Sequence, residues 1–271
     1  MKSDAELRWF RNPDTSWVVV RRRATIELLC LFQDLGSFVL TRGWSALGVP
    51  ASREAAAYRA AQTRLRRSGL IAYRRAAGQP AVLELAPEAA ERLPACYAPE
   101  KRWSERWDGR WRLLVYDIPE AQRKNRDALR RFLRQHALGE LQRSVYVTPR
   151  DIRPEYDDLC TAAGVGQQVY LFEVHTVLGL KPDRIAWEAW DFDAIGRRQE
   201  WYCRSASGLT RRLGDMKRDD VFALAGEESL VYQSVMAEDP LLPRAAWPNG
   251  YQGENAFRQH KAFVNAARRL W

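Results

Sequence analysis

A set of arginines between residues 53 and 75 is the clearest group of side chains in this chain that could recognise a ligand. The guanidinium group is a planar fork of donors that pairs with guanine edges and phosphate oxygens, so clustered arginines are typical of nucleic-acid recognition. The candidate DNA contacts are Arg53, Arg59, Thr63, Arg64, Arg67, Arg74 and Arg75. A solvated basic helix with no partner would carry the same charges, and the residue types alone leave that alternative open.

The segment Ser52–Arg67 must position most of these side chains, and its pattern predicts a helix. Ser52 is a suitable N-cap, Glu54 lies in the first turn, and neither Gly nor Pro interrupts the segment. At helical spacing Tyr58, Ala61 and Leu65 share one face, with the stem of Glu54 at its edge. The opposite face carries small alanines and cations, which suits close approach to a DNA major groove.

The flanking segments predict a winged helix-turn-helix. Upstream, Ala24–Leu35 has the pattern of a helix and Trp44–Pro50 that of a short helix and a turn. Downstream, Leu70–Arg75 and Ala81–Ala86 alternate as two strands joined by a turn. Two candidate arginines then fall near the tip of the wing, where phosphate contacts are expected.

Charge and composition favour a nucleic-acid partner for the N-terminal part. The 271 residues carry a net charge of +9, and residues 1–93 hold 15 Lys or Arg against 9 Asp or Glu. The four cysteines and three histidines are scattered without zinc-ligand spacing, so we expect no metal site and no cofactor. No signal peptide, membrane span, P-loop, GxSxG or HExxH motif is present, which predicts a cytoplasmic protein that is not an enzyme.

The central part predicts a small domain in which helices cover a sheet. Strands are expected at Trp111–Asp117, Leu141–Thr148 and Gln168–His175, and helices at Gln122–His136 and Pro154–Ala163. Strands alternating with amphipathic helices favour a mostly antiparallel ferredoxin-like topology.

The C-terminal part predicts helices. Helical spacing covers Asp183–Trp190, Phe192–Leu213, Asp219–Met236 and Glu254–Trp271, while the prolines of Asp239–Tyr251 indicate a rigid loop. The predicted class is therefore α+β, with a winged helix at 1–93, a linker at 94–108, a ferredoxin-like domain at 109–178 and a helical domain at 179–271. We expect the helical domain to serve dimerisation, effector response or both.

Over its whole length the chain resembles the PaaX-type transcriptional repressors of phenylacetic acid catabolism. The motifs are TRLRRSGLI in the winged helix, WDGRWRLLVYDIPEAQRKNRDALRRFLRQHALGELQRSVYVTPRD in the centre, and AWDFDAIGRRQEWY and DPLLPRAAWPNGY near the end. The resemblance implies a DNA-binding homodimer that represses a catabolic operon and is released by phenylacetyl-coenzyme A or a related aryl or acyl thioester. Gln62 and the pair Leu85–Ala86 depart from the usual family pattern, which bears on the operator sequence.

The central segment is also similar to the ferredoxin-like CRISPR-associated adaptor nucleases. That similarity implies an alternative function, a metal-dependent nuclease in which Asp117, at the end of the first strand, binds the metal. A single carboxylate is a poor magnesium site, and Asp117 would equally serve as a cap for the turn at Pro119–Glu120.

A coenzyme A thioester would need apolar walls and a few cations. Two sets of residues in the sequence combine them: Trp103, Trp107 and Trp111 near Arg102, Arg106 and Arg110, and Trp187, Trp190 and Trp201 near Arg197 and Arg198. The same tryptophans would also serve as core residues.

Overall fold

The structure is a computed structural model that describes residues 7–10, 29–30, 33–34, 54–74, 82–176, 178–179 and 182–270. The chain divides into two compact units, which do not follow chain order. The central unit comprises Pro99–Arg197 and Asp239–Tyr251, and the terminal unit comprises the residues up to Ala98, Arg198–Glu238 and the residues from Gln252 onward. Residues 179–271, which the sequence groups as one helical segment, thus contribute to both units.

Most of the described helices and strands follow the sequence pattern, although a short helix lies within the segment 94–108 that is predicted as a linker. In chain order they are α1 (Glu54–Arg67), β1 (Ile71–Arg74), β2 (Val82–Leu85), α2 (Pro99–Trp103), β3 (Trp111–Tyr116), α3 (Arg123–Gln135), β4 (Gly139–Gln142), β5 (Val145–Thr148), α4 (Arg153–Ala163), β6 (Val169–Val174), α5 (Pro182–Ala189), α6 (Phe192–Arg212), α7 (Arg218–Met236) and α8 (Gly253–Arg268). Short 3₁₀ turns lie at Pro87–Arg92, Ala95–Tyr97, Leu213–Asp215 and Arg244–Ala246. None of the described helices is long and apolar enough to cross a membrane.

The central sheet has ferredoxin-like topology, as predicted. Its strand order is β4-β5-β3-β6, and every neighbouring pair is antiparallel. Leu113 of β3 pairs with Val147 of β5 on one side and with Phe172 of β6 on the other. Two helical crossovers, α3 and α4, connect the strands in the order βαββαβ.

The single strand predicted at Leu141–Thr148 is wrong, because the chain turns back on itself in the middle of that segment. Strand β4 begins earlier, at Gly139, and β5 begins at Val145. Between them Ser144 adopts a positive φ of 67°, and the register shifts between Glu140 and Gln142. Polar residues at 142–144 supply a turn that the alternation of their neighbours conceals.

Two apolar cores lie in the central unit. One contains Leu114, Leu129 and Phe132 together with residues of α4 and β6. The other contains Trp111, Val147 and Trp190, together with residues of α5 and of the loop after α7. Gly139 permits the second core to close, because a Cβ there would lie 2.6 Å from the Trp190 ring. Trp190 in turn donates its indole hydrogen to the carbonyl of Ala137 at 3.1 Å.

The loop Asp239–Tyr251 belongs to the central unit and is held by polar contacts at both ends. Tyr251 donates its hydroxyl hydrogen to the Asp239 carboxylate at 2.7 Å, and the other carboxylate oxygen accepts the Leu241 amide hydrogen at 2.8 Å. The Arg150 guanidinium donates to the Leu241 carbonyl at 2.5 Å and to Glu105 at 2.7 Å. The prediction that the prolines exclude a long helix here is confirmed, apart from the short 3₁₀ turn.

The terminal unit is built around α7, which is buried along most of its length. Tyr202 of α6, Tyr232 of α7 and Phe263 of α8 are fully buried in this unit. Phe10 joins them and stacks on Tyr202 with ring centroids 6.3 Å apart. Phe10, near the start of the chain, is therefore packed against α6 in this unit.

Candidate nucleic-acid interface

The described part of α1 presents one apolar face and one polar face. Ala61 and Leu65 are buried, whereas Thr63, Arg64 and Arg67 are exposed. Buried residues four apart lie on the same side of a helix, so Thr63 and Arg67 lie on the other side and Arg64 lies on its flank. The prediction that this helix has one apolar face and one polar face is therefore confirmed over its C-terminal half.

The end of α1 leads directly into the hairpin. Gly69 has a φ of +71°, a left-handed conformation that ends helices and that residues with a Cβ rarely adopt. The Leu70 amide donates to the Leu65 carbonyl at 2.9 Å and so closes the last turn. Strands β1 and β2 then pair antiparallel, with Ile71 opposite Leu85. Helix and hairpin have the order of the recognition helix and wing of a winged helix.

The structure describes some of the predicted contact residues fully and others only in part. Thr63, Arg64 and Arg67 are exposed on α1, as expected for DNA contacts. Arg59 lies in α1 and Arg74 at the end of β1, and the side chains of both lie outside the description. Arg53 and Arg75 lie outside the described residues, as do most of the two predicted upstream helices. The complete winged helix thus stays a prediction, of which α1 and the hairpin are observed.

The exposed side of α1 is strongly basic near its end. Arg64, Arg66 and Arg67 lie in the last turn, and all three are exposed. Cations near a helix C-terminus interact favourably with its dipole, so this arrangement also suits the free helix. Exposed arginines at the end of a helix can reach a phosphate backbone.

A buried charged cluster fixes part of the N-terminal segment in the terminal unit. Asp34 is 4% exposed, Glu228 of α7 is fully buried and His260 of α8 is 3% exposed. The imidazole Nε2 of His260 lies 3.3 Å from Asp34 Oδ1, and its Nδ1 lies 3.0 Å from Glu228 Oε1. Arg268 of α8 also donates to the Asp34 carbonyl at 2.5 Å. Asp34, near the end of the segment predicted as a helix at Ala24–Leu35, is therefore held by residues of α7 and α8.

The electrostatics of the cluster favour a charged imidazole. Burial alone lowers the pKa of His260, but the carboxylates of Glu228 and Asp34 outweigh burial and raise it to about 10. Burial raises the pKa of Glu228, and the neighbouring His260 opposes that change. Tyr202 donates its hydroxyl hydrogen to Glu228, and Tyr97 donates to Asp34 at 3.2 Å. The buried charges are thus paired and hydrogen-bonded, as their burial requires.

Sequence reasoning missed this cluster, because its members are far apart in the chain. Its one signal was the pair Glu227–Glu228 within the largely apolar segment Val221–Met236. An acidic residue on a buried helical face needs a cationic or donor partner, and the pattern did not identify His260 as that partner.

The tryptophans predicted as candidate pocket walls are used largely in packing. Trp103, Trp111 and Trp190 are buried, and Trp107 and Trp187 pack against the second core of the central unit. Several neighbouring cations are engaged in ion pairs: Arg102 with Glu105, Arg110 with Glu173 and Arg198 with Glu238. The alternative that these tryptophans are core residues therefore fits the structure better.

Asp117 follows β3, and its amide donates to the Gln168 carbonyl at 2.8 Å. Within the described part of the chain, no group of three or more His, Cys, Asp or Glu residues is placed to hold a metal ion. This arrangement does not favour the nuclease alternative.

Comparison with known proteins supports the central fold and its family. Residues 104–186 match the family model described as the PaaX protein central Cas2-like domain. The predicted resemblance to PaaX-type proteins is confirmed over these central residues. Among solved structures, the uncharacterized protein Rv0674 from Mycobacterium tuberculosis is similar at 18% sequence identity and a TM-score of 0.51, covering 89% of this chain and 94% of its own. That similarity concerns the fold alone, and no curated protein matches the chain significantly.

Proposed function

We propose that this PaaX-type protein is a DNA-binding transcriptional repressor of a bacterial catabolic operon, released by an aryl- or acyl-coenzyme A thioester. The observation that carries the proposal is the exposed basic face of α1. Ala61 and Leu65 hold the helix to its unit, while Thr63, Arg64 and Arg67 face outward next to a hairpin. A helix presented in this way suits the major groove, with the hairpin lying along the backbone.

The family match over residues 104–186 supports a regulatory role. The net charge of +9 is concentrated in the N-terminal 93 residues, which favours attraction of DNA to that part. A single winged helix contacts few base pairs, so we propose that a homodimer reads an inverted repeat. Its half-sites would then lie about 10–10.5 base pairs apart, or a multiple of that spacing.

The test is to measure binding of duplex DNA from the region upstream of the adjacent genes by fluorescence anisotropy in magnesium. Wild-type protein should bind one segment at least 10³-fold more tightly than unrelated DNA of the same length, and should leave it uncut. The double variant Arg64→Ala/Arg67→Ala should lose most of that affinity.

The matched control is Arg211→Ala/Arg212→Ala, which removes the same charge from exposed positions at the end of α6. It should bind the segment as the wild type does. Equal loss in both double variants would mean that total charge rather than α1 drives binding. Cleavage of the DNA in magnesium would restore the nuclease alternative.

A further inference from the structure

Helices α6 and α8 of the terminal unit border a groove of about 410 Å³. Its lining is polar and includes Glu200, Cys203 and Arg204 from α6 and Asn255, Arg258 and Gln259 from α8. The volume lies within the range of small-molecule sites, which is roughly 300–1,000 Å³. It is sufficient for a nucleotide-sized group.

The lining favours an anion. Within the described part of the chain, neither Arg204 nor Arg258 makes an ion pair with a carboxylate, and Arg258 donates to the side-chain oxygen of Asn255. The groove also reaches Gln252, the N-cap of the 16-residue helix α8, where backbone amide hydrogens attract oxyanions. Burial raises the pKa of Cys203 to about 11, so its thiol stays neutral. Two cations against the single carboxylate of Glu200 give the lining a net positive charge, and Glu200 offers an acceptor for a ligand hydroxyl or amine group.

The helices that border this groove also carry the buried cluster. Tyr202, next to groove residue Cys203, donates to Glu228, and His260, next to groove residue Gln259, binds the same carboxylate. Glu228 therefore bridges α6 and α8 from within the unit. His260 continues the connection to Asp34 in the N-terminal segment.

We propose that the groove between α6 and α8 binds a phosphate-bearing organic anion, and that its binding alters the Tyr202–Glu228–His260 bridge which holds Asp34. This inference rests on the proposed function, for which it names a site of effector control. A ligand shifts a conformational equilibrium only if it binds the two states differently. A ligand that contacts both α6 and α8 binds the two states with different affinity whenever the spacing of these helices differs between them.

The binding test uses two probes, inorganic diphosphate and coenzyme A, titrated calorimetrically into the full-length protein without DNA. Wild type should bind coenzyme A, and Arg204→Gln/Arg258→Gln should bind it at least tenfold more weakly. The control Arg211→Gln/Arg212→Gln removes two arginines from the end of α6 outside the groove and should bind as the wild type does. Binding of diphosphate as well would assign recognition to the phosphate group alone, whereas binding of coenzyme A alone would assign it to phosphate together with the organic body.

A second measurement needs no arginine variant. Saturating coenzyme A should slow maleimide labelling of Cys203, read by peptide mass spectrometry, while labelling of Cys160 in the central unit serves as the internal control. Failure of both probes to bind wild type, or equal binding by the groove variant, would overturn the site.

Coupling is tested with Tyr202→Phe, which removes the hydroxyl bond to Glu228 and leaves the ring. Coenzyme A should weaken DNA binding by wild type at least tenfold and weaken DNA binding by this variant much less, although the variant still binds the probe. Loss of DNA binding without any probe concerns the proposed function alone, whereas unchanged coupling in the variant would refute the bridge.

Discussion

His260 in α8 lies 3.3 Å from the carboxylate of Asp34, so the last helix is joined to a residue near the start of the chain. The ring of Tyr232 stacks on the imidazole at a centroid distance of 3.9 Å, and Tyr97 meets it edge-on at 5.5 Å. Glu228 occupies the remaining side. The contact between His260 and Asp34 is shielded from water on every described side. Because the attraction is little screened there, its strength depends on whether His260 is protonated.

The stability of the terminal unit should fall as pH rises above neutrality. The pKa of His260 is about 10 in the folded chain, against an ordinary value of 6.5, because two carboxylates face it. The folded chain therefore holds this proton more tightly than the unfolded chain does. The stabilisation is complete below pH 6.5 and is lost as pH rises toward 10, by about 1 kcal/mol per pH unit. Denaturant unfolding at several pH values between 6.5 and 9 measures that slope.

Two controls isolate His260 in that experiment. The variant His260→Gln should be less stable at pH 6.5 but should show a much flatter decline. Cys203→Ser should keep the wild-type slope between pH 6.5 and about 8, because that thiol is neutral there both in the unfolded chain and in the folded chain, where burial raises its pKa to about 11. A wild-type slope that persists in His260→Gln would show that other groups control the decline.

The central fold could be predicted from the sequence because its signals are local. The amphipathic period of α3 and the alternation in β3 and β6 each lie within a short window, and the structure confirms them. The β4–β5 turn was missed, because Ser144 adopts a positive φ that no strong turn residue signals. A Gly or Asn at that position would have revealed the hairpin.

Long-range pairs could not be predicted in the same way. Asp34 and His260 are separated by most of the chain, and Arg150 contacts a loop 91 residues away. The pattern shows which faces are apolar but not which buried polar groups meet. The exposure of Thr63, Arg64 and Arg67 depends only on the period of α1, so it could be predicted from the sequence, whereas their contact with DNA stays a prediction.

Gly139→Ala should destabilise the central unit by about 1–3 kcal/mol, the usual cost of overpacking a closed core. The added methyl group would lie 2.6 Å from the Trp190 ring and 2.7 Å from Ala189. Gly208→Ala in α6 is the matched control, because nothing lies within 4 Å of its Cβ position. In a helix interior that exchange should stabilise by about 0.5–1 kcal/mol. Thermal unfolding of both variants checks the contrast, which equal midpoints would refute.

Arg150→Met should loosen the loop Asp239–Tyr251 while preserving most of the side-chain volume. It removes donors to the Pro240 and Leu241 carbonyls and leaves Glu105 without this cation, at a cost of about 2–3 kcal/mol. Hydrogen exchange across the loop should accelerate accordingly. Arg153→Met is the control, because its pair with Asp151 is largely exposed and contributes little. Similar exchange in the two variants would mean that the apolar core alone holds the loop.

Thr63 and Arg67 should affect DNA binding in different ways, although both are exposed on the same helix. Arg67 lies in the last turn of α1, where we expect a phosphate contact, so Arg67→Ala should weaken binding to all sequences alike. It should also reduce the slope of log affinity against log salt by about 0.9, the effect of one phosphate contact. Thr63 lies one turn earlier on the face expected to meet base edges, so Thr63→Val should keep the salt slope and relax preference at one base pair.

Anisotropy titrations at four salt concentrations, on the preferred segment and on singly substituted segments, separate the two effects. A change of slope in Thr63→Val, or an unchanged slope in Arg67→Ala, would contradict these assignments. It would mean that α1 presents a different face to the major groove.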